Sequence, residues 1–278
     1  MLLYHYCDSA SFINIVKKKV LWASDLTKMN DPDETLRGTE IIDSLYRSIF
    51  PRSSFSFDNE EKLSEFKDLI VACSMSKVGN LLSQWRAYAN DGTGFSIGID
   101  DQELNISNLG PGTGNHIPGY ESLGVPGYSI SEVLYDEGKY REKWNKDMMD
   151  FQKENEHQFK PKRKLICASE LFALRRWLEA TCLLKNDFYS EEQEVRIFKS
   201  VPINRVGVID FNTGIDFRAT SNGIKAFSCI KLNGHGQNCI KEVIIGPKNH
   251  STEDDIKMLL QLSGIEGVKI KRSEGNYR

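Results

Sequence analysis

The first residues constrain the fold most, because a strand that is apolar on both faces is followed at once by a helix start. In the segment LLYHYC, strand alternation places His5 on one face with Leu3 and Cys7, and the opposite face is equally apolar. Such a strand lies inside a sheet, where an imidazole needs a hydrogen-bond partner. His5 is therefore either a satisfied core histidine or a residue that contacts a ligand.

Composition and charge are those of an ordinary globular chain. It has 278 residues, 40% of them hydrophobic and 27% charged, with a formal net charge of −3. This small net charge argues against a positive electrostatic field over the whole molecule that would attract nucleic acids or membrane surfaces. The N-terminus lacks the pattern of a signal peptide and no apolar run is long enough to span a membrane, so a cytoplasmic location is expected.

The cysteines indicate reduced thiols. They are far apart and form no C-x-x-C pair, so neither a metal site nor a disulfide framework is expected. Cys182 lies in the apolar segment EATCLL, where core packing and a thiol nucleophile are the two alternatives.

Strand and helix patterns are intermixed along the chain, without repeats and without a linker that separates domains. We predict a single α+β domain over residues 1–278. A Gly/Pro-rich loop at 110–128, with six glycines and three prolines, is either a mobile lid or a disordered surface loop. Two long helices joined by a basic run are expected to form a helical insert at about 139–185.

The strongest chemical pattern is the segment SEEQEVRIF. With strand alternation, Glu192, Glu194 and Arg196 share one face. Two carboxylates at this spacing can orient a sugar hydroxyl and activate an acceptor. The alternative is a solvent-facing ladder in which Arg196 neutralises the glutamates.

A second pattern is the segment LLSQWRAYANDGTGFSIGI. One helical turn carries the amide of Gln84, the aromatic rings of Trp85 and Tyr88 and the guanidinium of Arg86. A glycine-rich turn then leads into a strand that bears Ser96. These groups suit a ligand with a ring and phosphates, or else the aromatic rings pack the helix on the sheet.

These motifs carry a resemblance to a known family. LYHY, LWASD, NDPDE, LLSQWRAYANDGTGFSIGI, VLYDE, FYSEEQEVRIF and KEVIIGPK occur in the order expected of the bacterial family called domain of unknown function 2971. The resemblance covers nearly the whole chain. The family name implies no activity.

More distantly, a first-strand histidine and a late-strand glutamate resemble the ADP-ribosyltransferase fold. This resemblance implies mixed, mostly antiparallel sheets with flanking helices around an ADP-ribosyltransferase-like core. It implies that His5 holds NAD, that Glu194 is the catalytic acid and that Glu192 completes an E-x-E pattern. The residue near the nicotinamide is then Tyr88 or Ser96. The remaining cofactor-binding residues are expected to be Tyr6, Asn30, Gln84, Trp85 and Arg86.

The implied activity is NAD-dependent transfer of ADP-ribose to a macromolecular acceptor, or cleavage of NAD, by a bacterial toxin or anti-phage effector. Cleavage of the nicotinamide bond develops an oxocarbenium-like cation, which the Glu194 carboxylate would stabilise. A neutralising or regulatory protein partner is expected, and no membrane partner. The alternative is a non-catalytic nucleotide-binding or protein-interaction module on the same fold.

Overall fold

The computed structural model describes residues 1–28, 33–51, 53, 57, 68–104, 127–155, 168–202, 214–220, 223–233 and 238–275. Asn30 and most of the predicted 110–128 loop lie outside these ranges. The strands are β1 (Leu2–Cys7), β2 (Val20–Asp25), β3 (Asp68–Ser76), β4 (Phe95–Asp100), β5 (Ser129–Glu132), β6 (Glu194–Pro202), β7 (Ile215–Thr220), β8 (Gly223–Lys231), β9 (Ile240–Ile245) and β10 (Lys269–Arg272). The helices are α1 (Ser9–Lys18), α2 (Asp33–Ile49), α3 (Leu82–Tyr88), α4 (Glu137–Glu154), α5 (Ala168–Ala180) and α6 (Glu253–Leu262).

The strands form one mixed sheet of ten strands. Its main order is β10-β9-β4-β1-β3-β2-β8-β7, and β6 joins β3 and carries β5. Every described strand pair is antiparallel except β9 with β10. The prediction of an α+β fold with mostly antiparallel pairing and flanking helices is confirmed.

The sheet branches at β3, and this branch positions the candidate site. One edge of β3 pairs with β6 along its whole length. On the other edge, β2 pairs at Ala72 and Val71, whereas β1 pairs only at Ser76. The backbone between these contacts, residues 73–75, has no strand partner on that edge among the described strands. Since β1 and β2 meet β3 at different points, a cleft opens between them.

Two apolar clusters cover the two faces of the sheet. The first joins α1 and α6 to the sheet through residues such as Phe12 and Ile256. The second joins α2, α4 and α5 through residues such as Trp177. Strand β6 lies between them: Val195 contributes to the first cluster and Phe198 to the second. The face of β6 that carries Glu194 is therefore buried, because the helices pack against it.

Local capping explains where several helices begin. Asp8 caps α1 by accepting a hydrogen bond from the Ser11 amide at 2.6 Å, and Lys19, in a left-handed conformation with φ of 53°, follows its end. Asp136 caps α4 in the same way. No helix in the described part of the chain is long and apolar enough to cross a membrane.

Candidate functional site

A cavity of about 390 Å³ occupies the cleft between β1 and β2. Its floor is the unpaired edge of β3, with Cys73, Ser74 and Met75 in the lining. The remaining walls come from β1, α1, β2, α2, α3, the segment before β6, β6 itself and β7. Elements that are far apart in the sequence, from β1 to β7, therefore meet at one site.

The cavity brings together six of the residues predicted from the sequence. They come from the first strand, from the short helix α3, from the turn before β6 and from the start of β6. They are His5, Tyr6, Gln84, Tyr88, Glu192 and Glu194. The amide of Gln84 is buried, whereas Tyr88 is 40% exposed.

Three other predicted residues do not line the cavity. Trp85 is buried; its ring meets the Tyr6 ring edge-on at 4.9 Å, and its Nε1 donates to Asn80 at 2.7 Å. Ser96 is fully buried opposite Tyr6 in the β1–β4 ladder. Arg86 is exposed on α3. In this conformation Trp85 packs the helix on the sheet.

His5 has a partner within the fold and also lines the cavity. Its Nδ1 lies 3.4 Å from the carbonyl oxygen of Ser74 and 3.8 Å from Sγ of Cys73. Burial lowers the pKa of His5 below its ordinary value of 6.5, despite the contact with Ser74. The imidazole is therefore neutral at physiological pH, and donation by Nδ1 to Ser74 leaves Nε2 as an acceptor.

The carboxylates at the start of β6 belong to a buried ionic cluster, which is defined by four residues. Glu194 Oε1 accepts from Arg196 Nε at 2.6 Å, and its Oε2 accepts from Lys185 Nζ at 3.1 Å. The same Lys185 Nζ donates to Glu192 Oε2 at 2.7 Å. All four side chains belong to residues between 2 and 8% exposed. The prediction of a solvent-facing ladder is therefore wrong, because the segment that holds Cys182, Lys185 and Glu192 covers this face.

The backbone before β6 explains how Glu192 enters the cluster. Glu192 ends a 3₁₀ turn, Asp187–Glu192, and is not part of the strand. Gln193 then adopts a left-handed conformation with φ of 43°. Strand alternation therefore does not place Glu192 beside Glu194, and the two carboxylates meet through Lys185 instead.

Burial alone would raise the pKa of Glu194. The charges of Arg196 and Lys185, with hydrogen bonds from Arg196 and Ser74, outweigh this effect and lower the pKa to about 2. The carboxylate is therefore ionised at any physiological pH. It presents a fixed negative charge in the cavity wall, which suits the stabilisation of a developing cation.

The sequence did not indicate all of the residues that form the cavity. Lys185 was missed, because only the fold places it between two glutamates. Tyr189 was also missed; its ring lies 4.7 Å from Lys185 Nζ and lines the cavity. Within the described ranges, no group of three or more His, Cys, Asp or Glu side chains has an arrangement that could hold a metal ion.

Cys182 lies in the core and does not line the cavity. Its Sγ donates to the Glu179 carbonyl oxygen at 3.0 Å. Burial raises the pKa of the thiol to about 12, so little thiolate forms at neutral pH. Of the two alternatives from the sequence, the structure favours core packing over a thiol nucleophile.

The fold and the site define an α+β protein with a charged cleft at a branched sheet. Residues 84–197 match the model of a family described as "Protein of unknown function (DUF2971)". The resemblance to this family is thereby confirmed for the part of the chain that holds α3 and the start of β6. No curated protein and no solved structure gives a significant match to the chain.

Proposed function

We propose that the protein is an ADP-ribosyltransferase-like enzyme that cleaves NAD and transfers ADP-ribose to a macromolecule or to water. The observation that supports the proposal is the meeting of His5 and Glu194 in one cavity. These two residues lie far apart in the sequence, and they are the pair that the resemblance assigns to NAD binding and catalysis. A cytoplasmic toxin or anti-phage effector is the role that we infer for such an activity.

In this mechanism, the ionised Glu194 stabilises the oxocarbenium-like cation that develops when the nicotinamide bond breaks. Arg196 and Lys185 hold the carboxylate in place, so that little reorganisation is needed during the reaction. Glu192 balances the charge of Lys185. The neutral His5 accepts a hydrogen bond from a ribose hydroxyl or the nicotinamide amide, and Tyr88 offers a ring at the cavity wall.

A second candidate is a binding module that holds a nucleotide without turnover. One observation favours it: both carboxylate oxygens of Glu194 already accept hydrogen bonds from Arg196 and Lys185. A carboxylate engaged in this way has less capacity to polarise a ribose hydroxyl. Saturable NAD binding without nicotinamide release is the outcome that this candidate requires.

The test is incubation with NAD labelled in its ADP-ribose part, together with cell lysate and nucleic acid. Nicotinamide release and label transfer are followed for the wild type and for Glu194→Gln, which keeps the shape of the side chain. The matched control is Glu191→Gln, since Glu191 is exposed and does not line the cavity.

We expect Glu194→Gln to lower the turnover rate by about 10² to 10³-fold, while Glu191→Gln leaves it unchanged. Equal rates in the wild type and Glu194→Gln would overturn the proposed role of Glu194. If the wild type binds NAD but releases no nicotinamide with any acceptor fraction, the binding module replaces the enzyme.

A further inference from the structure

The part of the cavity lining that comes from α1, β2 and β7 carries two cations beside one aromatic ring. Lys18, from the last turn of α1, places its Nζ 5.9 Å from the centroid of the Trp22 ring on β2. Arg218, from β7, places its Cζ 4.9 Å from the same centroid. All three line the cavity and are called here the Trp22 wall.

The charges of the Trp22 wall are not balanced in the way that those of the buried ionic cluster are. Within the described part of the chain, neither Lys18 nor Arg218 forms an ion pair. Asp8 also lines the cavity, but its carboxylate caps α1. Asp216 shares the face of β7 with Arg218, but it is exposed and accepts from the Phe217 amide. The wall therefore presents excess positive charge.

Arg218 has a buried donor without an acceptor. Its Nη2 donates to Ser24 Oγ at 3.1 Å, whereas Nε is shielded from solvent and has no hydrogen-bond partner among the described residues. A buried donor without a partner costs free energy that an incoming acceptor recovers. The guanidinium lies over the Trp22 ring, and its planar arrangement of N–H donors favours an acceptor with several oxygens.

A neighbouring lysine shows that positive charge is crowded here. Lys225 stands directly opposite Arg218 in the β7–β8 ladder. Burial is the largest cause that lowers the pKa of Lys225. Repulsion from Arg218 and, more weakly, from Lys28 lowers it further, whereas the negative charge of Asp25 raises it. An anion bound at the Trp22 wall would relieve this repulsion.

We infer that the Trp22 wall binds the phosphate groups of a nucleotide, with Lys18 supplying charge and Arg218 supplying directed hydrogen bonds. The inference deepens the proposed function and rests on it for the identity of the nucleotide, because NAD carries a diphosphate between its two nucleosides. It divides the cleft into two parts. The Trp22 wall holds phosphate, and the part of the cavity that is lined by His5 and Glu194 faces the bond that breaks.

The test measures the affinity of ADP and of NAD by calorimetry at low and high salt. ADP carries the diphosphate without the nicotinamide, so it reports on phosphate binding alone. The variants are Lys18→Gln, Arg218→Gln and Arg218→Lys, with Lys17→Gln as the matched control, because Lys17 is exposed on α1 outside the lining.

We expect Lys18→Gln and Arg218→Gln each to weaken ADP binding by about tenfold and to reduce its salt dependence. NAD binding should weaken by the same factor, while Lys17→Gln binds as the wild type does. Arg218→Lys should recover part of the affinity that Arg218→Gln loses. Such a recovery is not expected if the loss in Arg218→Gln comes only from misfolding. For an active enzyme, KM for NAD rises and kcat stays unchanged.

The outcomes separate this inference from the proposed function. A wild type that binds ADP through Lys18 and Arg218 but releases no nicotinamide keeps the inference and overturns the enzyme. NAD turnover whose KM is the same in Arg218→Gln and Lys18→Gln as in the wild type overturns the inference alone. A wild type that binds neither ADP nor NAD also overturns the inference that the Trp22 wall binds phosphate.

Discussion

Two ionic clusters in this protein have similar geometry and different surroundings. The buried ionic cluster is centred on Lys185, whose Nζ lies 2.7 Å from Glu192. A surface cluster is centred on Glu137, which bridges helices α2 and α4 by pairing with Arg37 and Arg141, the latter at 2.8 Å. Distances alone do not distinguish them.

Exposure does distinguish them. The side chains of Arg37 and Arg141 are 58% and 44% exposed, so water screens their charges. The charges beside the cavity have lost their hydration, and the attraction between them offsets this desolvation cost only in part. Desolvated charges retained in the wall of a cleft indicate a functional site more strongly than their number or spacing does.

The largest expected effect on stability comes from removing the centre of the buried ionic cluster. Lys185→Met leaves two buried carboxylates with one cation, so the free energy of unfolding should fall by about 3 to 5 kcal/mol. Urea unfolding measures this change. The matched surface variant, Arg37→Met, should lower it by only about 0 to 1 kcal/mol. Similar losses in the two variants would show that burial does not separate the clusters.

Acid should weaken the buried ionic cluster selectively. The pKa of Glu194 is about 2 in the folded protein and 4.5 for an ordinary glutamate, so the unfolded state binds more protons between these values. The stabilisation is complete above about pH 5 and is lost as the pH falls towards 2. Thermal unfolding of the wild type should therefore depend more steeply on pH between 5 and 3 than that of Glu194→Gln.

The matched control for acid unfolding is Glu137→Gln. Hydrogen bonds from Arg37 and Arg141 lower the pKa of Glu137, but its side chain is 34% exposed, so water screens the interaction. Its replacement should change the pH dependence little. An equal slope in the wild type and Glu194→Gln would contradict the assignment of Glu194 as a buried, stabilised carboxylate.

The smallest expected effect is the response of the surface cluster to salt. Arg141→Met removes a pair between residues four apart on one helix, worth about 0.3 to 0.5 kcal/mol at low ionic strength. Raising the salt concentration to about 1 M shortens the screening length to about 3 Å and should abolish the difference. A difference that persists at high salt would mean that packing of the Arg141 stem, and not its charge, contributes.

The strand pattern of the sequence correctly predicted the two strands that carry His5 and Glu194. Strand β1 with His5 follows from an apolar run of strand length, and the pairing of Glu194 with Arg196 follows from alternation within β6. Glu192 was placed on the same face for the wrong reason, since the left-handed Gln193 interrupts the strand before it. Helix α6 begins after Thr252, which forms a capping box with Asp255.

The rest of the site depends on contacts that a local pattern does not contain. Arg218 lies on β7, where exposed and half-buried residues alternate irregularly and give little hydrophobic signal. Its contact with Trp22 requires β8 to pair with both β7 and β2. Lys185 likewise contacts both glutamates only because the 3₁₀ turn before β6 brings Glu192 and Glu194 to its Nζ. Residues brought together by sheet order are therefore the ones that sequence reasoning missed.

The claim that the cleft holds NAD beside His5 is tested most directly by NMR of the histidine side chains. NAD is added to Glu194→Gln, which should bind it without rapid turnover, and His5→Gln identifies the His5 signal. Our proposal predicts that the His5 imidazole resonances shift saturably, while those of His250, exposed and outside the cavity lining, stay unchanged. An unmoved His5 signal at saturating NAD would contradict it.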